Sequence, residues 1–316
     1  MTEYRSSGDR DDTSLPETGS VEIVEPEEAI DLVEDIAQGV AEPADAADSP
    51  ILVVLDIDGT ILLEDETLSP GIVEAVKDAR AAGNEVMLAT GRSWEGTRGI
   101  LRALDISPEY VVCSNGAVVL QRVDAADVHY ERVHTETFDA TTVLTLLREH
   151  LPDAHYLVEL PTGERMYTQY LEDWNLLAAH RVPFEELTRH PVCRVVVVSP
   201  DHDERDFLTL VEDIGLNQVS YAIGWTAWLD IAPQGVDKGT ALEIVRTWLG
   251  ITPERVLVIG DGRNDVGMFR WALEHGGRAI AMAQGPDEVR EAAGEITSSV
   301  EEGGVAAILR DLPRGR

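Results

Sequence analysis

Two aspartates that directly follow an apolar run are the residues of this chain best placed to do chemistry. The run is ILVVL, residues 51–55, and it is followed by Asp56 and Asp58, with Gly59 and Thr60 after them. Two close carboxylates can hold a hard cation such as Mg²⁺, or they can divide the roles of nucleophile and acid or base. They can also be incidental residues of a solvated strand end, and the pair by itself leaves these interpretations open.

A second group of polar residues follows another apolar run towards the end of the chain. RVLVI, residues 255–259, precedes Asp261, Asn264 and Asp265. Continuous apolar runs of this length are typical of strands that are buried on both faces of a parallel sheet. Parallel strands end at the same edge of a sheet, so we expect the carboxylates that follow both runs to lie close together there. This edge is also where ligands bind in open α/β sheets.

Two other segments carry further candidate functional residues. Thr90 and Gly91 follow the apolar run EVMLA, residues 85–89, where a hydroxyl and the amides of a helix N-terminus suit an anion. Many strand-to-helix turns have a similar composition, so this signal is weak by itself. Lys238 precedes a predicted helix over residues 239–249, and a cation at that end opposes the helix dipole. It is either an ordinary surface lysine or, as its unfavourable place indicates, a functional one.

Short apolar strands alternate with helices on both sides of a long insert. This alternation predicts an α/β fold with a Rossmann-like, doubly wound parallel-sheet core, formed by residues 50–117 and 232–316. Between them, residues 118–231 group short alternating strands with helices, which predicts an inserted α+β cap domain with an antiparallel sheet. Helices are expected in this cap near residues 140–149, 171–179 and 203–214.

The charge of the chain is extreme and uneven. The net charge is −34 over 316 residues, and residues 1–49 hold 15 Asp or Glu against only Arg5 and Arg10. The acidic, Ser- and Pro-rich composition of residues 1–49 predicts a disordered tail. The acidity argues against a nucleic-acid partner and against binding to an anionic membrane surface. A phosphorylated ligand would therefore have to be held by a few focused positive groups.

The cysteines and the absence of long apolar segments in the sequence indicate the cellular compartment of the protein. Cys113 and Cys193 lie in apolar segments and are expected to be small buried hydrophobic residues, without a disulfide or a zinc site. No apolar segment is long enough to span a membrane. The N-terminus lacks the basic region and following apolar segment of a signal peptide. The sequence therefore predicts a cytoplasmic protein that does not bind membranes.

Four segments resemble the four motifs of the haloacid dehalogenase-like (HAD) phosphohydrolases, in the order and spacing of that superfamily. They read ILVVLDIDGT, LATGRS, VDKGTAL and VLVIGDGRNDVGMF. The arrangement looks most like the Cof-type sugar-phosphatase branch, whose C2-type α+β cap is inserted between the second and third motifs. The resemblance covers roughly residues 51–312 and does not extend to the tail.

This resemblance implies a role for each of four aspartates in the first and last of these segments. Asp56 would attack phosphorus and become an aspartyl phosphate, and Asp58 would protonate the leaving oxygen and then activate water. Mg²⁺ would sit between Asp56, the backbone carbonyl of Asp58 and Asp261, where it offsets the charge of the phosphate and the nucleophile. Asp265 would support the site from outside, by orienting Lys238 or the metal's water.

The resemblance also implies which residues hold the phosphate group. Thr90 and Gly91, with nearby backbone amides, would bind phosphate oxygens, and Asn264 would touch the phosphate or order the metal's water. Lys238 would contact both Asp56 and the phosphate, as a point cation in an acidic site.

Together these roles predict a Mg²⁺-dependent phosphatase that hydrolyses a small phosphate monoester, a sugar phosphate or a related metabolite, through an aspartyl phosphate. A phosphomutase would share that intermediate, and product analysis would separate the two. A non-catalytic sugar-phosphate-binding protein would be expected to lose Asp56 or Lys238, and both are present. The cap is expected to choose the substrate and to exclude water when it closes.

Removal of residues 1–49 should leave the fold and the turnover nearly unchanged, because a segment of this composition cannot bury enough apolar surface to fold. The truncated and full-length proteins would be compared by thermal melting and by phosphate release. A large loss of melting temperature or of turnover in the truncated protein would contradict the prediction.

Overall fold

The computed structural model describes residues 49–124, 129–170, 176, 179–200, 216, 219–223 and 228–313, all within the unit Ala47–Arg316. Nearly all of the predicted tail lies outside the described residues. The helix predicted over residues 203–214 also lies outside them, as does most of the helix predicted over 171–179, whose last residue begins a strand.

Strands and helices alternate at both ends of the described chain, and strands dominate its middle. The strands are β1 (Leu52–Leu55), β2 (Glu85–Leu88), β3 (Tyr110–Cys113), β4 (Val118–Asp124), β5 (His129–Thr135), β6 (His155–Glu159), β7 (Arg165–Tyr167), β8 (Ala179–Arg181), β9 (Arg194–Val198), β10 (Val219–Ile223), β11 (Trp228–Pro233), β12 (Val256–Gly260), β13 (Arg278–Ala281) and β14 (Glu295–Ile296). The α-helices are α1 (Ile72–Ala81), α2 (Trp94–Ala103), α3 (Thr141–His150), α4 (Phe184–Leu187), α5 (Lys238–Trp248), α6 (Val266–Glu274), α7 (Asp287–Ala292) and α8 (Gly304–Arg310). Single 3₁₀ turns cover Ser114–Gly116, Pro253–Arg255 and Arg263–Asp265. Within the described ranges, no helix is long and apolar enough to cross a membrane.

Five parallel strands form the central sheet, in the order β14-β13-β12-β1-β2. All four residues of β1 are buried, as the apolar run predicts. In the register of the sheet, Leu55 lies beside Leu88 of β2 and Ile259 of β12. These three strands therefore end at nearly the same level, and the residues that follow them emerge at one edge of the sheet.

Helices cover both faces of this sheet. Val53 and Leu55 of β1 belong to one apolar cluster with residues of α1, α2 and α8, whereas Leu52 and Val54 belong to another with residues of α5, α6 and α7. Successive side chains of a strand point to opposite faces, so a strand covered on both sides needs an uninterrupted apolar run. The predicted doubly wound α/β fold is confirmed.

The strands β3, β4 and β5 form a three-stranded antiparallel sheet beside β2. Val118, Leu120 and Tyr130 of the β4–β5 hairpin are buried in the same apolar cluster as α1, α2 and α8. The predicted domain borders at residues 117/118 and 231/232 stay predictions. The packing of the hairpin favours a first border nearer Glu136, after β5.

The insert holds a six-stranded sheet, in the order β10-β11-β9-β6-β7-β8, which is antiparallel except between β7 and β8. Val143 and Leu147 of α3 pack in one apolar cluster with Tyr156 of β6 and Val197 of β9. This cluster is separate from the two that flank the parallel sheet, so the insert has a hydrophobic core of its own. Its architecture agrees with the predicted α+β class.

Candidate active site

A buried lysine lies between two buried aspartates at the edge where β1, β2 and β12 end. Lys238 Nζ donates hydrogen bonds to Asp56 Oδ1 and to Asp265 Oδ1, each at 2.6 Å. The side chains of Lys238 and Asp265 are fully buried, and that of Asp56 nearly so. Burial lowers the pKa of Lys238, but the carboxylates of Asp265 and Asp56 more than offset this and raise it, so the ammonium stays charged.

Lys238 reaches this position because it is the first residue of α5. Asp237 caps the helix, since its carboxylate accepts from the Thr240 amide at 2.9 Å while Thr240 Oγ1 accepts from the Asp237 amide at 3.0 Å. This capping box fixes where the helix begins. The carboxylates of Asp56 and Asp265 offset the unfavourable position of a cation at a helix N-terminus. That position is the feature from which a functional role of Lys238 was predicted.

Both carboxylate oxygens of Asp265 are engaged. Oδ1 accepts from Lys238, and Oδ2 accepts from the backbone amides of Asp261 and Gly262, at 2.9 Å each. A Cβ on Gly260 would lie 2.3 Å from Asp265 Cγ, a distance that excludes any other residue there. Asp265 therefore bonds to both Lys238 and the backbone of the loop that carries Asp261, and its supporting role stays a prediction.

Asp261 brings a third carboxylate to the same point. Oxygens of Asp56, Asp261 and Asp265 lie within 4.8 Å of one another. Thr60 Oγ1 lies 3.4 Å from Asp56 Oδ2 and 3.5 Å from Asp261 Oδ1. Burial, followed by the negative charge of Asp265, raises the pKa of Asp56 to about 7, and burial, followed by the charge of Asp56, raises the pKa of Asp261 to about 8. Lys238 therefore balances only part of the negative charge.

This excess of carboxylate oxygen fits a divalent metal ion, because hard cations such as Mg²⁺ take oxygen ligands. Asp56 and Asp261 are the residues that could hold it, since the oxygens of Asp265 are already engaged. The loop after β1 is held against Asp261: Gln284 Nε2 donates to the Gly59 carbonyl and, at 3.4 Å, to Asp261 Oδ2. Gly59 has φ +71°, and a Cβ on it would lie 2.1 Å from Asp261 Oδ2.

Asp58 lies outside this buried cluster, and 58% of its side chain is exposed. Arg92 holds its carboxylate with two nitrogens, Nε at 2.9 Å from Oδ2 and Nη2 at 2.5 Å from Oδ1. Glu66 accepts from the same guanidinium at 3.4 Å. No role was predicted for Arg92 from the sequence, although it lies in the LATGRS segment, because its partner is 34 residues away along the chain.

Thr90, Gly91 and Asn264 are brought together around Asn115. Thr90 is fully buried, and its Oγ1 accepts from the Arg92 amide at 3.1 Å. Asn264 Nδ2 donates to Asn115 Oδ1 at 3.0 Å, and a Cβ on Gly91 would lie 3.1 Å from the same oxygen. Asn115 was not predicted as a site residue either, since its one local signal is the Ser-Asn-Gly turn after β3.

The insert brings a buried ion pair to the same place. Arg194 donates to Asp230 from Nε at 2.8 Å and from Nη2 at 2.7 Å, and both side chains are buried. Burial raises the pKa of Asp230 in spite of Arg194. A Cβ on Gly91 would lie 3.4 Å from Asp230 Oδ2, so β11 places a carboxylate beside the loop that carries Thr90.

Comparison with known proteins identifies relatives over most of the chain. Residues 53–309 match the family model of the haloacid dehalogenase-like hydrolases. The chain is 25% identical over 273 residues to the 5-amino-6-(5-phospho-D-ribitylamino)uracil phosphatase YitU of Bacillus subtilis, covering 83% of this chain and 97% of that protein. It is 28% identical over 263 residues to the phosphoglycolate phosphatase of Archaeoglobus fulgidus, again covering 83% and 97%.

Solved structures share the fold at lower sequence identity. TM0651 from Thermotoga maritima superposes with a TM-score of 0.65 at 19% identity, covering 84% of this chain and 98% of that chain. The HAD subclass IIB sugar phosphatase BT4131 superposes with a TM-score of 0.67 at 20% identity, covering 82% and 98%. At these identities the likeness establishes the fold alone.

These findings confirm the predicted family and the predicted enzyme class, a phosphoric monoester hydrolase. Phosphatases of this superfamily generally use a divalent metal, which agrees with the buried acidic cluster. The matched residues run from the second residue of β1 into α8 and so include every segment of the site. The chain therefore belongs to the haloacid dehalogenase-like hydrolases, in their Cof-type branch.

Proposed function

We propose that the protein hydrolyses a small phosphate monoester in two steps, with Asp56 as nucleophile, Mg²⁺ as cofactor and an aspartyl phosphate as intermediate. The observation that carries this proposal is the buried arrangement of Asp56, Lys238 and Asp265 at the end of β1, with Asp261 beside them. A carboxylate held at 2.6 Å by a fixed lysine is restrained before the substrate arrives, which favours attack along one direction.

In the first step a carboxylate oxygen of Asp56 attacks phosphorus, and the bond between phosphorus and the ester oxygen breaks. Asp58 donates a proton to the departing oxygen, which leaves as an alcohol. The exposure of Asp58 supports this role, since its carboxyl group is accessible to the ester oxygen of a substrate. Arg92 orients the Asp58 carboxylate through both oxygens.

In the second step water attacks phosphorus, Asp58 accepts the proton of that water, and the bond between phosphorus and the Asp56 oxygen breaks. Phosphate leaves, and Asp56 is a carboxylate again. Asp56, Asp261 and the backbone carbonyl of Asp58 would hold Mg²⁺, which would supply positive charge that offsets the charge of the phosphate group.

Thr90, Gly91, Asn264 and Lys238 are proposed to hold the phosphate oxygens. The buried hydroxyl of Thr90 and the buried ammonium of Lys238 support this role, because donors in a water-poor site interact strongly with an anion. In a chain with a net charge of −34, these few groups must create the local positive potential that a phosphate needs.

The proposed substrate is a small phosphorylated metabolite, and within that class a sugar phosphate. The activities after which two relatives are named support the class: one is a phosphatase of a phosphoribitylamino-uracil and the other of phosphoglycolate. A phosphate-release screen over sugar phosphates, nucleotides and pyridoxal phosphate would identify the substrate. Analysis of the products would separate hydrolysis from a mutase reaction.

We further propose that the inserted six-stranded sheet acts as a cap that selects the ester, while the β4–β5 hairpin stays with the parallel-sheet core. The buried Arg194–Asp230 pair supports this, because it brings polar groups of the insert to the loop of Thr90 and Gly91.

Asp230→Asn should change kcat/KM for sugar phosphates by about tenfold or more and for p-nitrophenyl phosphate by less than about threefold, since mismatched polar groups discriminate strongly between substrates. Steady-state kinetics on both esters would measure this. Glu185→Gln, at an exposed position of α4, is the matched control and should change neither. Equal effects of Asp230→Asn on every ester would show that Asp230 acts only in packing.

Chelation of divalent ions should abolish turnover, and Mg²⁺ should restore it. Asp261→Asn should weaken Mg²⁺ binding by about 100-fold or more. Mutation of a residue that only hydrogen-bonds to a metal ligand already lowers metal affinity by about 10- to 100-fold, and Asp261 is proposed to be a ligand itself. Titration calorimetry with Mg²⁺ alone would measure this affinity without reference to activity. Full turnover after exhaustive chelation would refute the requirement for a metal.

The stability of the metal-free protein should fall as the pH rises from about 5 to 8. The pKa values of about 7 for Asp56 and about 8 for Asp261 exceed those of an unfolded chain, near 4. In this range the folded state therefore retains protons that the unfolded state has released, and the free energy of unfolding decreases with pH. Mg²⁺ competes with those protons, so the rise in melting temperature that it causes should be larger at pH 8 than at pH 5.

Melting curves with and without Mg²⁺ would check this dependence. Asp261→Asn should reduce the pH slope of the metal-free protein, whereas Asp153→Asn, at an exposed position, should leave it unchanged. An Mg²⁺ effect that is independent of pH would contradict the assignment of these two carboxylates.

Asp56→Asn should abolish turnover and form no phosphoenzyme, because an amide cannot serve as the attacking carboxylate. Asp58→Asn should lose about 10²- to 10⁴-fold in rate, the usual worth of general acid–base catalysis. With p-nitrophenyl phosphate, whose leaving group needs little protonation, Asp58→Asn should accumulate phosphoenzyme because its hydrolysis still requires a base. Quenched single-turnover reactions with peptide mapping would detect it, and phosphate on any residue other than Asp56 would overturn the assignment of the nucleophile.

A further inference from the structure

The 114–116 turn, Ser114–Gly116, has a backbone that only glycine adopts easily. The φ angles of Ser114, Asn115 and Gly116 are +52°, +53° and +100°. Two consecutive non-glycine residues in this region are strained, and such strain persists only where the surroundings impose it. Backbone hydrogen bonds from Ser114 N to the Arg92 carbonyl at 2.9 Å and from Asn115 N to the Thr90 carbonyl at 3.0 Å hold the turn against the loop after β2.

One side of the 114–116 turn touches the other two segments that carry proposed phosphate ligands. Asn115 Oδ1 accepts from Asn264 Nδ2 at 3.0 Å. A Cβ on Gly116 would lie 2.1 Å from the Asp237 carbonyl oxygen and 3.2 Å from the Lys238 amide. The turn is therefore in contact with the segments of Thr90, Lys238 and Asn264 at once.

The other side of the turn is bonded to the insert. Ser114 Oγ donates to Glu159 Oε2 at 2.8 Å, and Arg132 Nη2 donates to Glu159 Oε1 at 2.5 Å. Glu159 is the last residue of β6 and is fully buried. A buried carboxylate must keep its hydrogen-bond partners, so the bond to Ser114 ties the position of the six-stranded sheet to the conformation of the turn.

We propose that the 114–116 turn couples the position of the six-stranded sheet to the phosphate-holding side chains, and that Asn115 is the positioning residue for Asn264. When the sheet is in contact with the turn, the Ser114–Glu159 bond helps to hold the strained backbone. That backbone keeps the Asn115 amide where it orients Asn264. Loss of the bond lets the turn relax, and the phosphate oxygens lose a donor of fixed direction. The proposal rests on the proposed function.

Asn115→Gly isolates the role of the side chain, because glycine keeps the positive φ without strain. In the Mg²⁺-loaded protein, the affinity for inorganic phosphate should fall about tenfold, the loss expected when one hydrogen bond is no longer correctly directed. Competitive inhibition of p-nitrophenyl phosphate hydrolysis and the phosphate-induced rise in melting temperature would both report it. KM should rise more than kcat falls.

A double-mutant cycle with Asn264→Ala tests whether Asn115 acts through Asn264. In the Asn264→Ala background, Asn115→Gly should weaken phosphate binding little further. If it weakens binding equally in both backgrounds, Asn115 does not position Asn264 and the proposal is overturned.

Ser114→Ala tests the connection to the insert, and Ser69→Ala is its matched control. Ser69 is also buried, and its hydroxyl donates to the Val300 carbonyl at 2.7 Å, away from the insert. Ser114→Ala should speed amide hydrogen exchange in the peptides that carry Thr90 and Asn264 and should weaken phosphate binding. Ser69→Ala should lower the melting temperature by a similar amount, but it should change neither the hydrogen exchange of these peptides nor phosphate binding. Identical behaviour of the two variants would overturn the coupling.

Hydrogen exchange also separates this proposal from the proposed function. If the unmodified protein neither hydrolyses esters nor binds phosphate, the proposed function fails. The exchange of the Thr90 and Asn264 peptides in Ser114→Ala still decides whether the turn couples them to the insert.

Discussion

The two ion pairs of one buried lysine are the interaction on which the rest of the site depends. Lys238 binds a partner 182 residues away, Asp56, and another 27 residues away, Asp265. Buried charges are costly unless they are paired with good geometry, so the three segments must meet accurately. The parallel register of β1 and β12 and the capping box of α5 supply that accuracy, and the glycine at the end of β12 leaves room for Asp265.

The same pairs leave the site short of positive charge. One ammonium faces three buried carboxylates, and the pKa values of Asp56 and Asp261 are raised first by burial and then by the neighbouring carboxylates. A phosphate ester would add further negative charge at this point. A divalent cation would relieve both problems together, and binding of metal and of phosphate is then linked by electrostatics. In a chain as acidic as this one, attraction of an anion has to come from such local groups.

Two buried polar contacts lie at the boundary between the insert and the parallel-sheet core. Glu159 bonds to Ser114 of the core, and Arg194 pairs with Asp230 beside Gly91. Interfaces between domains that move are more polar than hydrophobic cores, because polar groups can be rehydrated on separation. Such a boundary agrees with the proposed role of the insert as a cap that opens for substrate.

The sequence alone determined the family, the doubly wound fold and the motif-bearing strand ends, because these depend on local patterns of apolar runs and the polar residues after them. Only the tertiary structure decided three other features: the ion pair between Arg92 and Asp58, the contact between Asn115 and Asn264, and the packing of the β4–β5 hairpin on the core. These contacts join residues distant in the chain, across surfaces that no local periodicity describes. Their partners are set by how sheets and loops pack, which only the folded chain as a whole defines.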